Sequence, residues 1–118
     1  MERRINRRFK VKEGGFALLQ SEPFIVGEIS DISRGGLPFF YFERKNQNTD
    51  ASGINIIFSR DSFLLAIDQF KPIADLPISQ DTDNLSSLKM RRHNIQFGKL
   101  DKSEIEELEY FIDNYTRN

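Results

Sequence analysis

The chain has 118 residues, 38% of them hydrophobic and 30% charged, with eleven Phe, no Trp, no Cys, one His and a formal net charge of −1. That is enough for one domain with a single phenylalanine-rich core. It excludes a disulfide framework, a thiol nucleophile, a cysteine zinc centre and any site needing two histidines.

The charge is unevenly placed. Residues 1–12 hold Arg3, Arg4, Arg7, Arg8, Lys10 and Lys12 against Glu2, whereas residues 101–113 hold Asp101, Glu104, Glu106, Glu107, Glu109 and Asp113 against Lys102. Such local fields, more than the near-neutral total, concentrate an anionic ligand. No apolar run approaches the roughly 18 residues of a membrane span, and no apolar segment follows the N-terminal arginines as it would in a signal peptide. A cytoplasmic protein without membrane insertion, complete from its initiating Met1, is therefore expected.

In chain order, Phe9 to Lys12 alternates apolar and charged as a half-buried strand does, and Glu13-Gly14-Gly15 ends it as a turn. Phe16 to Gln20 continues that strand or pairs with it. Pro23 sets up Phe24 to Ile29, whose alternation slips at Gly27 and predicts a bulge there. Leu37 to Phe42 reads as an aromatic strand with its proline at the start or on an edge. Side chains alternate across a strand, so Phe39 and Tyr41 point opposite to Phe40 and Phe42, and the outward pair needs a cover.

Lys45 to Ser52 is polar and turn-like. Ile54 to Phe58, a turn at Ser59 to Ser62, and Phe63 to Ile67 form a hairpin. Phe70 to Ile78 contains Pro72 and Pro77 and reads as a broken or edge strand. Residues 79–87 read as a mobile loop, and Leu88 to Phe97 as the last strand, with His93 near the surface.

One helix follows. Asp101 caps it, Glu104 completes a capping box, and Leu100 with Ile105 forms the hydrophobic staple. Ile105, Leu108, Phe111, Ile112 and Tyr115 fall on one face, which would cover the outward aromatic pair. Several short antiparallel strands and then one amphipathic helix predict a mainly β fold, a small antiparallel β-barrel over residues 9–97 with a C-terminal helix over 101–115 packed on it.

Two stretches carry binding chemistry. Arg4 and Arg8, four apart on a basic segment, supply planar, permanently charged forks suited to phosphate oxygens and to the O6/N7 edge of guanine. Asp31-Ile32-Ser33-Arg34-Gly35-Gly36 supplies a carboxylate for purine N–H groups, a hydroxyl, and glycines that admit close backbone approach. Arg34, between them, is expected to face solvent. Either stretch alone also reads as a solvated tail or a polar turn. Nothing resembles an activated nucleophile or a paired acid and base, so an enzyme is not expected.

Together and in this order, the two motifs resemble those of the PilZ domain family, across Glu2 to about Tyr115. The resemblance implies a six-stranded antiparallel barrel and a receptor for cyclic di-GMP, a bacterial second messenger, with no metal or other cofactor. It implies Arg4 and Arg8 as the clasping arginines, and Asp31, Ser33 and Gly36, with Gly35 beside it, as the second motif. Arg3 directly precedes the pair, which in the family accompanies binding of two mutually intercalated ligand molecules. Residues 1–8 would be a flexible segment that orders over the ligand, read by a downstream protein partner. The last strand departs from the family in having His93-Asn94 where a glycine is commoner. Two alternatives stay open: a small barrel that binds nucleic acid through its basic tail and exposed aromatics, and an interaction module that binds no nucleotide.

Overall fold

The computed structural model describes residues 7–44, 47–78 and 89–117. The expected order of antiparallel strands followed by one helix is observed, but ten strands in two sheets replace the expected six. They are β1 (Phe9–Val11), β2 (Gly15–Leu19), β3 (Ile25–Ile29), β4 (Asp31–Ile32), β5 (Gly36–Phe42), β6 (Ile54–Phe58), β7 (Phe63–Ile67), β8 (Phe70–Pro77) and β9 (Met90–Phe97), then helix α1 (Lys102–Tyr115) and finally β10 (Thr116–Arg117). Seven lie in the order β7-β6-β2-β3-β5-β9-β8, and the other three in the order β10-β1-β4.

The larger count arises because two runs of chain are shared between the sheets. Gly14, at φ +109°, turns the chain between β1 and β2, a conformation that favours glycine. Ser30 separates β3 from β4, and its carbonyl accepts the Val11 N–H at 3.0 Å. Among the described residues the edge strands β7 and β8 do not pair with each other, so the larger sheet is curled like a half-barrel.

Inside the curl lie alternate residues of the central strands, among them Ala17, Leu19, Ile29, Ile54, Ile56, Ile67 and Phe39, each at most 2% exposed. The hairpin turn forms as expected, with Ser62 left-handed at φ 56°. The proline-bearing β8 is an edge strand whose register against β9 shifts between Pro72 and Ala74. Pro38 sits third in a central strand, not at its start. It is tolerated because β3 pairs with β5 only at Phe39 and Phe40 before turning away as β4, leaving Pro38 a paired strand on one side, β9.

Gly27 marks no bulge, since β2 and β3 pair in continuous register through it. Glycine is needed there for proximity: a Cβ would run into the Phe40 carbonyl oxygen and the Phe39 ring.

Helix α1 begins with the expected capping box. The Glu104 N–H donates to Asp101 Oδ1 at 2.8 Å, and the Asp101 N–H donates to Glu104 Oε1 at 2.9 Å. Its first turn stands off the sheet, so Ile105 is 48% exposed and burial starts at Leu108. The helix does not cover Phe40 and Phe42. It closes the other end of the curl, where Phe111 and Tyr115 pack against Phe58 and Phe63. Phe42 remains exposed, and the Arg92 guanidinium lies 6.0 Å from the Phe40 ring centroid.

His93 is not near the surface as expected but buried, at 1% exposure. β9 places His93, Ile95 and Phe97 on its inner face, where the imidazole meets the rings of Phe39 and Tyr41 edge-on. Asp75 accepts from the Tyr41 hydroxyl at 2.9 Å and from Arg91 Nε at 2.9 Å. Its carboxylate is 3.6 Å from His93 Nδ1. Burial first, then the Asp75 hydrogen bond, pushes the Tyr41 hydroxyl up to about 12. Burial holds the His93 pKa below its ordinary value, partly offset by the Asp75 charge and reinforced by Arg91.

A depressed histidine pKa means that the unfolded chain takes up the proton first as pH falls. The neutral-His93 contribution is therefore full above about pH 6.5 and lost progressively below it. Thermal unfolding followed between about pH 5 and pH 8 is expected to show this decline, at up to ~1.4 kcal/mol per pH unit, with a flatter profile for His93→Gln. Equal slopes in the two proteins would refute it.

Candidate functional site

Arg8 and the second motif, more than twenty residues apart in sequence, meet in space. β1 pairs with β4 so that Phe9 stands opposite Ile32 and Lys10 opposite Asp31, which delivers Arg8, one residue before β1, to the start of the second motif. Arg8 Nη1 donates to Asp31 Oδ1 at 2.9 Å. Arg3 and Arg4 lie outside the described residues.

The turn after β4 is closed by its own groups. The Ser33 N–H donates to the Gly36 carbonyl at 2.9 Å, and the Ser33 Oγ accepts the Gly35 N–H at 3.1 Å. The Gly35 carbonyl accepts the Phe97 N–H at 2.9 Å, tying the turn to the end of β9. At Gly36 a Cβ would run into the Ile95 carbonyl oxygen, so the close β5–β9 approach requires glycine there.

Beside this turn is an open cleft of about 290 Å³. Arg8, Ser33, Gly35 and Gly36 line it together with residues of β5, β8 and β9, among them Asn94 and Gln96. Asp31 stands next to the cleft, bonded to Arg8. Four of the seven residues expected at the site thus line one cleft, and a fifth is paired to it.

Arg34 keeps a 37% exposed side chain but is held by a partner. Its Nε and Nη2 make a two-pronged contact with the Glu109 carboxylate on α1, the Nη2–Oε1 distance being 2.9 Å. The Glu109 carboxyl is held below the usual carboxylate range by that hydrogen bond, and the Arg34 pKa is raised. Two guanidinium groups lie near the Phe9 ring, that of Arg7 at 5.0 Å and that of Arg34 at 5.6 Å from its centroid, within cation–π range. The acidic helix face therefore reaches the basic site through one ion pair.

The β9 part of the lining was not foreseen from sequence. Asn94 and Gln96 alternate with His93, Ile95 and Phe97, which marks them as outward residues of β9. No sequence signal says that β9 lies against β5, and that pairing is what brings them to the cleft. Among the described residues no group of three or more His, Cys, Asp or Glu could hold a metal ion, and no helix is long and apolar enough to cross a membrane.

The curled antiparallel sheet followed by one C-terminal helix is a mainly β fold similar to that of a solved PilZ domain. Among solved structures, the chain is similar to the PilZ domain with c-di-GMP of YcgR from Escherichia coli, at a TM-score of 0.70 and 14% sequence identity, over 97% of this chain and 92% of that one. No protein-family model matches the chain, and no curated protein matches it in sequence.

Proposed function

We propose that this chain is a receptor for cyclic di-GMP and catalyses no reaction. The observation that carries the reading is the Arg8–Asp31 pair at the mouth of the cleft, because it joins the two motifs through the groups that a guanine nucleotide would use. The solved PilZ domain of YcgR, similar in fold, was determined with this ligand.

Arg8 and Asp31 neutralise each other while no ligand is bound. Their side chains are 57% and 26% exposed, and an ion pair this open to water contributes at most about 1 kcal/mol. Exchanging partners is therefore cheap. The Arg8 fork turns to a phosphate or to guanine O6 and N7, and the released Asp31 carboxylate accepts guanine N–H groups. Ser33 and the backbone at Gly35 and Gly36 form the fixed wall. Arg4 and Arg3 would join from the N-terminal segment, whose ordering by the ligand's phosphates is the output that a downstream protein reads. The cleft, near the lower end of ligand-pocket volumes, would take a base and its phosphate, and Arg3 is the residue that motivates a second, intercalated ligand molecule.

Titration calorimetry with cyclic di-GMP tests the assignment. Binding at micromolar or lower concentration is expected, with two ligand molecules per chain. A ratio of one would refute the role given to Arg3, and no binding would refute the assignment itself.

A further inference from the structure

We propose that the outer face of β3, β5, β9 and β8 is the docking surface for a second copy of this chain, with Glu28 of each copy set against Arg92 of the other. The inference makes no use of the nucleotide reading. Alternation along the strands turns Ile25, Phe39 and His93 inward and leaves Val26, Glu28, Phe40, Phe42, Arg92 and Leu76 on the outside. Val26, Phe42 and Leu76 are each more than half exposed, and the helix closes the other end of the curl. Apolar side chains gathered on one face, with charges beside them, mark an interaction surface in a way that scattered single residues do not.

The charges decide the occupant. Glu28 stands opposite Phe40, Phe40 opposite Arg92, and Arg92 opposite Leu76. Neighbouring strands lie about 4.8 Å apart, so the acid and the base flank Phe40 at equal distances in one row. Among the described residues neither has an ion-pair partner in its own chain, and the Arg92 guanidinium lies 6.0 Å from the Phe40 ring centroid. A row with a ring at its centre and opposite charges on its two sides is complementary to itself. When two copies face each other across a two-fold axis parallel to β5, the strand order of the facing copy is reversed. Phe40 then meets Phe40, and each Glu28 meets the partner's Arg92. Closed two-fold contacts, in which one patch meets itself, are the commonest form of assembly.

The size of the patch sets its strength. Four strands and two rows of side chains cover on the order of 300 Å², against the roughly 800 Å² that each side of a stable complex buries. The outside of a curled sheet is also convex, which confines contact to these central rows. The dimer is therefore weak and forms in a concentration-dependent way, with a dissociation constant on the order of 10–100 µM.

Sedimentation equilibrium of the full chain without nucleotide, from about 10 µM to about 1 mM, tests the docking. The average mass is expected to rise from that of one chain toward that of two. Glu28→Arg and Arg92→Glu, each made alone, put like charges face to face and are expected to weaken self-association by about tenfold or more. Phe42→Glu, at an exposed position where the fold does not depend on the ring, is expected to do the same. The decisive sample is an equimolar mixture of Glu28→Arg with Arg92→Glu. One copy then carries two bases and its partner two acids at the facing positions, so association is expected to return in the mixture. A single-chain mass at every concentration overturns the proposal, as do single variants that associate like the unmodified protein or a mixture that associates no better than its components. None of these results bears on whether the cleft binds cyclic di-GMP.

Discussion

Arg8→Ala is expected to weaken cyclic di-GMP binding by about a hundredfold or more while leaving the melting temperature within a few degrees of the unmodified protein. The binding loss follows from charge: each hydrogen bond to an ionised group contributes about 1.5–3 kcal/mol, and a guanidinium fork makes two at once. Arg8→Lys should recover little of it, because an ammonium is a point charge and cannot meet two acceptors in one plane. The small effect on stability follows from exposure. Arg8 is bonded to Asp31 across the surface, and such pairs contribute between nothing and about 1 kcal/mol. Calorimetry and thermal unfolding on the same samples separate the two effects. An unchanged affinity would remove Arg8 from the site.

The largest expected loss of stability lies at the opposite end of the curl. Phe111 is fully buried, and its ring centroid is 5.4–6.3 Å from those of Tyr115, Phe63 and Phe58. Phe111→Ala removes the ring that fastens α1 over the β6–β7 turn, and truncations of this kind cost about 3–5 kcal/mol. Against a total of about 5–15 kcal/mol for a domain, the melting temperature should fall by ~10 °C or more. Phe111 lines no part of the cleft, so the folded fraction should still bind ligand. A loss below about 1 kcal/mol in urea unfolding would show that the helix is held by other contacts.

Local chemistry was the legible part of the sequence. Asp101 and Glu104 announce the helix start because a capping box satisfies backbone groups within four residues. Pro72 and Pro77 mark β8 as an edge because proline cannot donate to a ladder. The two binding motifs were legible as chemistry, and their meeting depended on β1 pairing with β4, which places Arg8 against Asp31.

What was hidden depends on pairings between distant strands. His93, a polar residue among arginines, reads as a surface group until β9 is known to turn it inward against Phe39 and Asp75. Gly27 interrupts an alternation, and only the β3–β5 crossing shows that the missing side chain makes room for the Phe40 carbonyl. The outward aromatic pair suggested a cover, but the helix follows the deeper apolar surface at Phe58 and Phe63. Arg34 reads as free until the helix brings Glu109 to it. Asn94 joins the cleft only through the β5–β9 pairing.

The central claim is that the cleft between Arg8 and Asn94 takes the nucleotide. Titration with cyclic di-GMP followed by the amide resonances of ¹⁵N-labelled protein tests it most directly, because it reports where the ligand sits as well as whether it binds. The account predicts saturating shifts at Arg8, Asp31, Ser33 to Gly36 and Asn94 to Gln96, and little change at the outer, exposed residues of α1. Absence of shifts at saturating ligand, or shifts confined to the exposed aromatic face around Phe24 and Phe42, would contradict it.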